Sequence, residues 1–163
     1  MGFKKALAGV LAATSLLVAA CGDGGADGGE ANEDGEVKVG TVFATTGSFS
    51  AYGTPQQNAI EMAVDEINEE GGVLDDQDIN LVSYDYTSED TEAAQLTTRL
   101  ASQDKVDAIL GADTSGASKT ALQNAHQHET PILSPSASAD NYTETSDGEV
   151  EEWGWRVAFP DSY

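Results

Sequence analysis

The sequence predicts an α/β fold over residues 37–163, a doubly wound parallel sheet with helices on both faces. Three observations predict it. Short β-branched runs alternate with longer segments whose apolar residues recur at helical spacing. That strand–helix–strand order implies right-handed crossovers, and therefore parallel strands. The residues that follow each strand are rich in hydroxyls and small side chains, at the edge where ligands sit in such sheets.

The first strand is residues 37–43, Val-Lys-Val-Gly-Thr-Val-Phe, short and β-branched. After a Gly/Ser/Thr loop, Thr54 is the expected N-cap of the first helix. Pro55 stands at its first position and Gln57 at the spacing of a capping box. Ile60, Ala63, Val64 and Ile67 then fall at i, i+3, i+4 and i+7, and Gly71-Gly72 ends the helix. The second strand, residues 79–84, alternates Ile, Leu and Ser against Asn, Val and Tyr. Ala93, Leu96, Thr97, Leu100 and Ala101 form a second helical face. Residues 106–110 give a third strand, ended by Gly111, and residues 115–128 a third helix whose face is mainly alanine. Ile132 and Leu133, after Pro131, make a short fourth strand. Residues 155–159 make a fifth, beyond an irregular acidic stretch.

Composition excludes several classes of function. The chain has 163 residues, 29 acids against 7 bases, and a formal net charge of -22. That length allows one domain of about 100–200 residues. A surface this acidic repels phosphate, so nucleic acid is not expected as a partner. A single cysteine, Cys21, excludes an intrachain disulfide, a cysteine-ligated zinc site and a CxxC redox centre. His126 and His128, the only histidines, are one residue apart on a predicted helix and point to different sides. The sequence has no GxSxG, P-loop or GxGxxG pattern. An enzyme is therefore not expected, and neither a metal nor a cofactor is called for. Trp153 and Trp155 read as packing residues.

The first 20 residues read as an export signal: Lys4 and Lys5 precede an apolar run that ends in small residues, with no acid. The run is shorter than the ~20 residues of a spanning helix. Val18-Ala19-Ala20-Cys21 looks like a bacterial lipobox, in which the cysteine sulfur takes a diacylglyceryl group before cleavage. Two or more acyl chains, at ~0.8 kcal/mol per buried CH₂, hold a protein stably on a membrane surface. The organisation expected is a lipoprotein signal peptide at residues 1–20, then the lipidated Cys21 and an acidic, glycine-rich tether at residues 21–36. The α/β domain occupies residues 37–163. The product is exported and anchored to the cell membrane through lipid. Cleavage leaves all 29 acids against Lys38, Arg99, Lys105, Lys119 and Arg156.

The strand-end loops are Thr45-Thr46-Gly47-Ser48, Tyr86-Thr87-Ser88, Asp113-Thr114-Ser115-Gly116 and Ser134-Pro135-Ser136-Ala137-Ser138. Ser115 starts the third helix, where its hydroxyl and the free N–H groups of the first turn suit an anionic oxygen. It can equally be a plain N-cap, worth ~1 kcal/mol. Ser136 and Ser138 offer carbonyls and hydroxyls that accept from an ammonium group and donate to a carboxylate. Tyr52 can lie flat against a ligand's apolar part. Four such loops at one edge point to a small zwitterionic ligand.

The segments VKVGTVFATTGSFSAYG, AIEMAVDEINEEGGV, QDKVDAILGADTSGAS and PILSPSAS resemble the first lobe of type I periplasmic (solute-)binding proteins of ABC importers. The branch they resemble takes branched-chain amino acids and amides. The resemblance implies two α/β lobes that close over the ligand, an amino acid or amide, and hand it to ABC permease subunits. It implies that Ser115 and Ser138 hold the ligand's α-carboxylate and the Ser136 backbone carbonyl its ammonium, while Tyr52 packs on it. Two features depart from the family: the turn Leu74-Asp75-Asp76-Gln77-Asp78, and Gly47-Ser48 in place of glycine-proline. The resemblance covers one lobe, so the sequence reads as an N-terminal fragment. The lobe is itself incomplete, since the family's first lobe takes back a late chain segment. The alternative use of the same lobe is a receptor domain that reports its ligand to a signalling partner.

Overall fold

The computed structural model describes residues 36–74 and 76–163. The signal peptide, Cys21 and the tether lie outside the described residues, Glu36 excepted. Strands β1 (Val37–Phe43), β2 (Ile79–Asp85), β3 (Ala108–Gly111), β4 (Ile132–Ser134) and β5 (Gly154–Arg156) form one parallel sheet. Their order is β2-β1-β3-β4-β5. Helices α1 (Ser50–Glu69), α2 (Asp90–Arg99) and α3 (Ser115–Gln127) connect them. The expected fold class is the one observed. The crossover through α1 moves one way from β1, and the crossover through α2 returns past it. Right-handed connections therefore put α1 on one face and α2 with α3 on the other. The reversal opens a crevice at the carboxyl ends of β1 and β3.

The core lies between the sheet and the α2/α3 layer. Val42, Ile109 and Ile132 from the strands meet Ala93, Leu100, Ala117, Ala121, Leu122 and Ala125 from the helices. Alanine at one position per turn gives α3 a weak hydrophobic signal, yet it lets the helix lie close to its neighbours. A π turn, Leu100–Asp104, extends α2 and keeps Leu100 buried. Val106 closes that turn by donating to the Leu100 carbonyl at 3.1 Å, so β3 starts two residues later than expected.

Helix α1 also departs from expectation, since it begins at Ser50 and carries Pro55 inside it. Thr54 is no N-cap: its hydroxyl donates to the Thr45 carbonyl at 3.3 Å. The earlier start is held from outside the helix, where the Phe49 N–H donates to Ser88 Oγ at 3.0 Å. Gly53 lies directly on the end of β1. A Cβ there would stand 2.2 Å from the Ala44 carbonyl oxygen, so only glycine lets α1 approach this closely.

Strand β5 is shorter than expected because β4 ends at Ser134. Once Val157 has donated to the Ser134 carbonyl at 3.1 Å, no partner strand continues. Gly154 faces Leu122 of α3, which turns Trp155 to the α1 face, half exposed rather than packed away. On that face Leu110 and Leu133 are only partly covered. With Ile60 and Pro135 they line an apolar hollow of about 190 Å³.

Charge is mostly unmatched. Among the described residues, an ion pair joins Arg99 to Asp104 at 3.8 Å, and His126 Nδ1 lies within hydrogen-bond distance of Glu151 Oε2, at 3.0 Å. His126 and His128 are both exposed at the far end of α3, away from the strand-end loops. Among the described residues no helix is long and apolar enough to cross a membrane. With 29 acids in the chain, self-repulsion opposes folding, and added salt shortens its range from about 10 Å at 0.1 M to about 3 Å at 1 M. The unfolding midpoint in urea is therefore expected to rise as KCl is raised into the molar range. A flat or falling dependence would remove self-repulsion as a significant term.

Candidate functional site

The carboxyl ends of β1, β3 and β4 bring Ser115 and Ser138 onto one set of hydrogen bonds and Ser136 onto a second, centred on Asp113. Thr114, not Ser115, is the N-cap of α3: its side chain accepts the Ala117 N–H at 3.3 Å. Ser115 is released from that duty and reaches across to the loop after β4. Its Oγ accepts the Ser138 N–H at 3.2 Å and the Ala139 N–H at 3.1 Å. A hydroxyl oxygen has two lone pairs. Both are engaged here, so the remaining function of the Ser115 hydroxyl is to donate its proton. A donor at a helix N-terminus, where first-turn N–H groups have no intrahelical acceptor, suits a carboxylate.

Ser138 is held at both backbone groups, since its carbonyl also accepts the Asp161 N–H at 2.8 Å. Its hydroxyl takes part in none of the hydrogen bonds among the described residues. The Ser136 hydroxyl is already occupied, donating to Asp113 O at 3.1 Å and Gln56 Oε1 at 3.2 Å. That leaves its carbonyl as the group to consider for an ammonium. Tyr52 lies in the first turn of α1 rather than in a loop, with 63% of its surface exposed. Gln56, one turn further on, makes the contact to Ser136 that ties this helix to the β4 loop.

The loop between β1 and α1 is fixed by residues that follow β2. Asp85 Oδ1 accepts the Thr45 N–H at 3.1 Å and the Thr87 N–H at 2.8 Å, and Oδ2 accepts the Thr46 hydroxyl at 2.6 Å. Ser88 Oγ donates to the Thr46 carbonyl at 3.0 Å while accepting from Phe49. Gly47, at φ 81°, passes so close to this turn that a Cβ would stand 2.5 Å from Ser88 Oγ. Partial burial works against the Asp85 charge, but the bonds from Thr46, Thr87 and Thr45 outweigh it and hold the carboxyl below its ordinary range.

A second carboxylate lies deeper. Asp113 Oδ1 accepts the Ala44 N–H at 2.9 Å. Burial dominates here and pushes the Asp113 carboxyl above its ordinary range, with the Ala44 bond opposing. Sequence reasoning did not single out Gln56, Asp85 or Asp113. The one local signal was the Asp85-Tyr86-Thr87 spacing of an Asx turn.

A family model described as periplasmic binding protein matches residues 36–159. The chain belongs to the periplasmic binding protein family. Its relatives place it among the type I members of the branched-chain amino acid group. Leu/Ile/Val-binding protein homolog 7 of Brucella abortus (strain 2308) is 30% identical over 116 residues, which are 71% of this chain and 29% of that protein. Among solved structures, the chain is similar to the branched-chain amino acid transporter substrate-binding protein LivJ of Streptococcus pneumoniae, solved in complex with isoleucine. That likeness has 41% identity and a TM-score of 0.73, over 78% of this chain and 35% of LivJ. The leucine binding protein LivK of Thermotoga maritima MSB8 is 27% identical with a TM-score of 0.63, over 77% and 33% of the two chains. This periplasmic binding protein lobe thus spans about a third of the length of the relatives it matches. All three of those relatives are named as binding proteins, LivJ as that of a transporter.

The Asp85 bonds carry a pH dependence with a definite sign. A carboxylate held below its unfolded pKa, about 3.9, contributes stability above that value and loses it as pH falls through the folded one. Asp85→Ala is expected to lower the melting temperature at pH 7, with the gap to the parent closing as pH falls below about 4. A gap that stays constant into acid would mean that Asp85 acts through packing alone.

Proposed function

We propose that this lobe belongs to an extracytoplasmic substrate-binding lipoprotein that captures branched-chain amino acids, or related amino acids and amides, and delivers them to an ABC permease. One observation carries the reading: the Ser115 oxygen is saturated by two backbone N–H groups, which turns its proton outward at the start of α3. A group built to donate at a helix N-terminus fits the α-carboxylate common to all amino acids. Ser138 supplies a second hydroxyl on the same loop, and the Ser136 carbonyl an acceptor for the ammonium. Tyr52, exposed on α1, offers an apolar face to the side chain. The likeness to LivJ, solved with isoleucine, supports this ligand class. In this reading the lobe binds and releases its ligand.

The remaining contacts belong to a second lobe in the full-length protein, since the chain spans about a third of its relatives' length. A late segment of that longer chain returns to cover Leu110, Leu133 and Pro135 on the open face. The lipid on Cys21 keeps the receptor at the membrane, and the acidic tether gives it reach.

Two measurements test the reading. Calorimetry of the full-length protein with leucine, isoleucine and valine is expected to give saturable binding. Ser115→Ala should weaken it about tenfold to a hundredfold, the range for a hydrogen bond to a charged group. Heat with none of these solutes, nor with short amides, would sink the ligand assignment. Mass spectrometry of the exported protein should find Cys21 at the new N-terminus carrying acyl chains, and an unmodified thiol would exclude anchoring through this residue.

A further inference from the structure

Asp113 follows β3 in the crevice where the strand order reverses, and contacts from two other strand ends meet on it. Its carboxylate accepts the Ala44 N–H beyond β1, at 2.9 Å. Its backbone carbonyl accepts the Ser136 hydroxyl beyond β4, at 3.1 Å. Its chain neighbours are Thr114, which caps α3, and Ser115, which grips Ser138 and Ala139. Ala44 is in turn pressed against Gly53, the residue after Tyr52. The four residues expected to meet a ligand are therefore all attached, through one or two contacts, to residue 113.

The carboxylate is costly where it stands. Asp113 is 5% exposed, and its Oδ2 has no hydrogen-bond partner. The Tyr86 hydroxyl, fully buried at the end of β2, has none either. The two groups influence each other's proton affinity, yet they do not reach hydrogen-bond geometry. A half-satisfied buried carboxylate adds less to stability than a group of the same shape with every polar atom paired. What this one supplies is a fixed acceptor for a buried N–H that the β-ladder does not reach.

We propose that Asp113 is a positioning residue for ligand binding, holding the β1 and β4 loops at a set spacing around Ser115 without touching the ligand. The ligand part of this proposal rests on the amino-acid-binding reading; the holding of the loops does not. Loops tied at a common point keep Tyr52, Ser136 and Ser138 in place before a ligand arrives, so less ordering is needed on binding.

Hydrogen–deuterium exchange of the unliganded chain tests the loop-holding directly. Asp113→Ala removes the acceptor for the Ala44 N–H but keeps the backbone carbonyl that holds Ser136, so exchange should speed about tenfold at residues 44–47, while residues 136–139 and residues 121–125 in α3 change little. Asp113→Asn retains the acceptor at Oδ1, so residues 44–47 should exchange near the parent rate. Ser136→Ala, which removes the donor to the Asp113 carbonyl and to Gln56, should loosen residues 136–139 and leave residues 44–47 protected. In the full-length protein, isoleucine affinity should fall about tenfold with Asp113→Ala and stay within about threefold with Asp113→Asn. Faster exchange spread evenly over the lobe, or an Asp113→Asn variant as loose as Asp113→Ala, would overturn the proposal. If the parent protein binds no amino acid while the exchange pattern holds, the loop-holding stands and the ligand reading falls.

Discussion

Parallel strands that stop together leave unpaired backbone N–H and C=O groups at one edge, and each buried one needs a partner. In this lobe the partners are side chains from neighbouring strand ends. Asp85 takes the N–H of Thr45, Asp113 that of Ala44, and Ser115 those of Ser138 and Ala139. Ser134, buried in the same layer, accepts from Ala137 and donates to the Ala112 carbonyl. The requirement to satisfy this edge is also what builds the candidate site, because these bonds pin the loops that carry its candidate residues. Stability and binding geometry share the same few atoms.

The two carboxylates show how environment divides one residue type. Asp85 sits near the surface with three donors around it, and hydrogen bonding holds it ionised further into acid. Asp113 sits beneath the loops with one donor, and burial dominates. Both serve a neighbouring backbone amide, but Asp85 is nearly saturated whereas Asp113 has an oxygen to spare. The acidity that dominates the composition is thus divided between a general surface property and two loop fixtures.

The fold was legible because its signals are local. The β-branched run at residues 37–43 and the apolar spacing from Ile60 to Ile67 each declare an element within a few residues. The boundaries were less so. Helix α1 starts at Ser50 because Ser88, nearly forty residues away, holds the preceding N–H, whereas the local capping signal at Thr54 describes a helix with no such neighbour. Ser115 was visible as a hydroxyl at a helix start, but its release from capping depended on Thr114 taking that role.

By itself the sequence determined the strand and helix order, the parallel sheet, and the clustering of hydroxyls at its carboxyl edge. These follow from periodicity and from the handedness of crossovers, which need no knowledge of distant residues. Only the tertiary structure decided which groups are donors, which are occupied, and which acids matter. Asp113 and Ala44 are 69 residues apart, as distant along the chain as many whole elements, and 2.9 Å apart in space. A hydrogen bond depends on position and direction to within fractions of an ångström, and that information exists only once the sheet has brought the strand ends together.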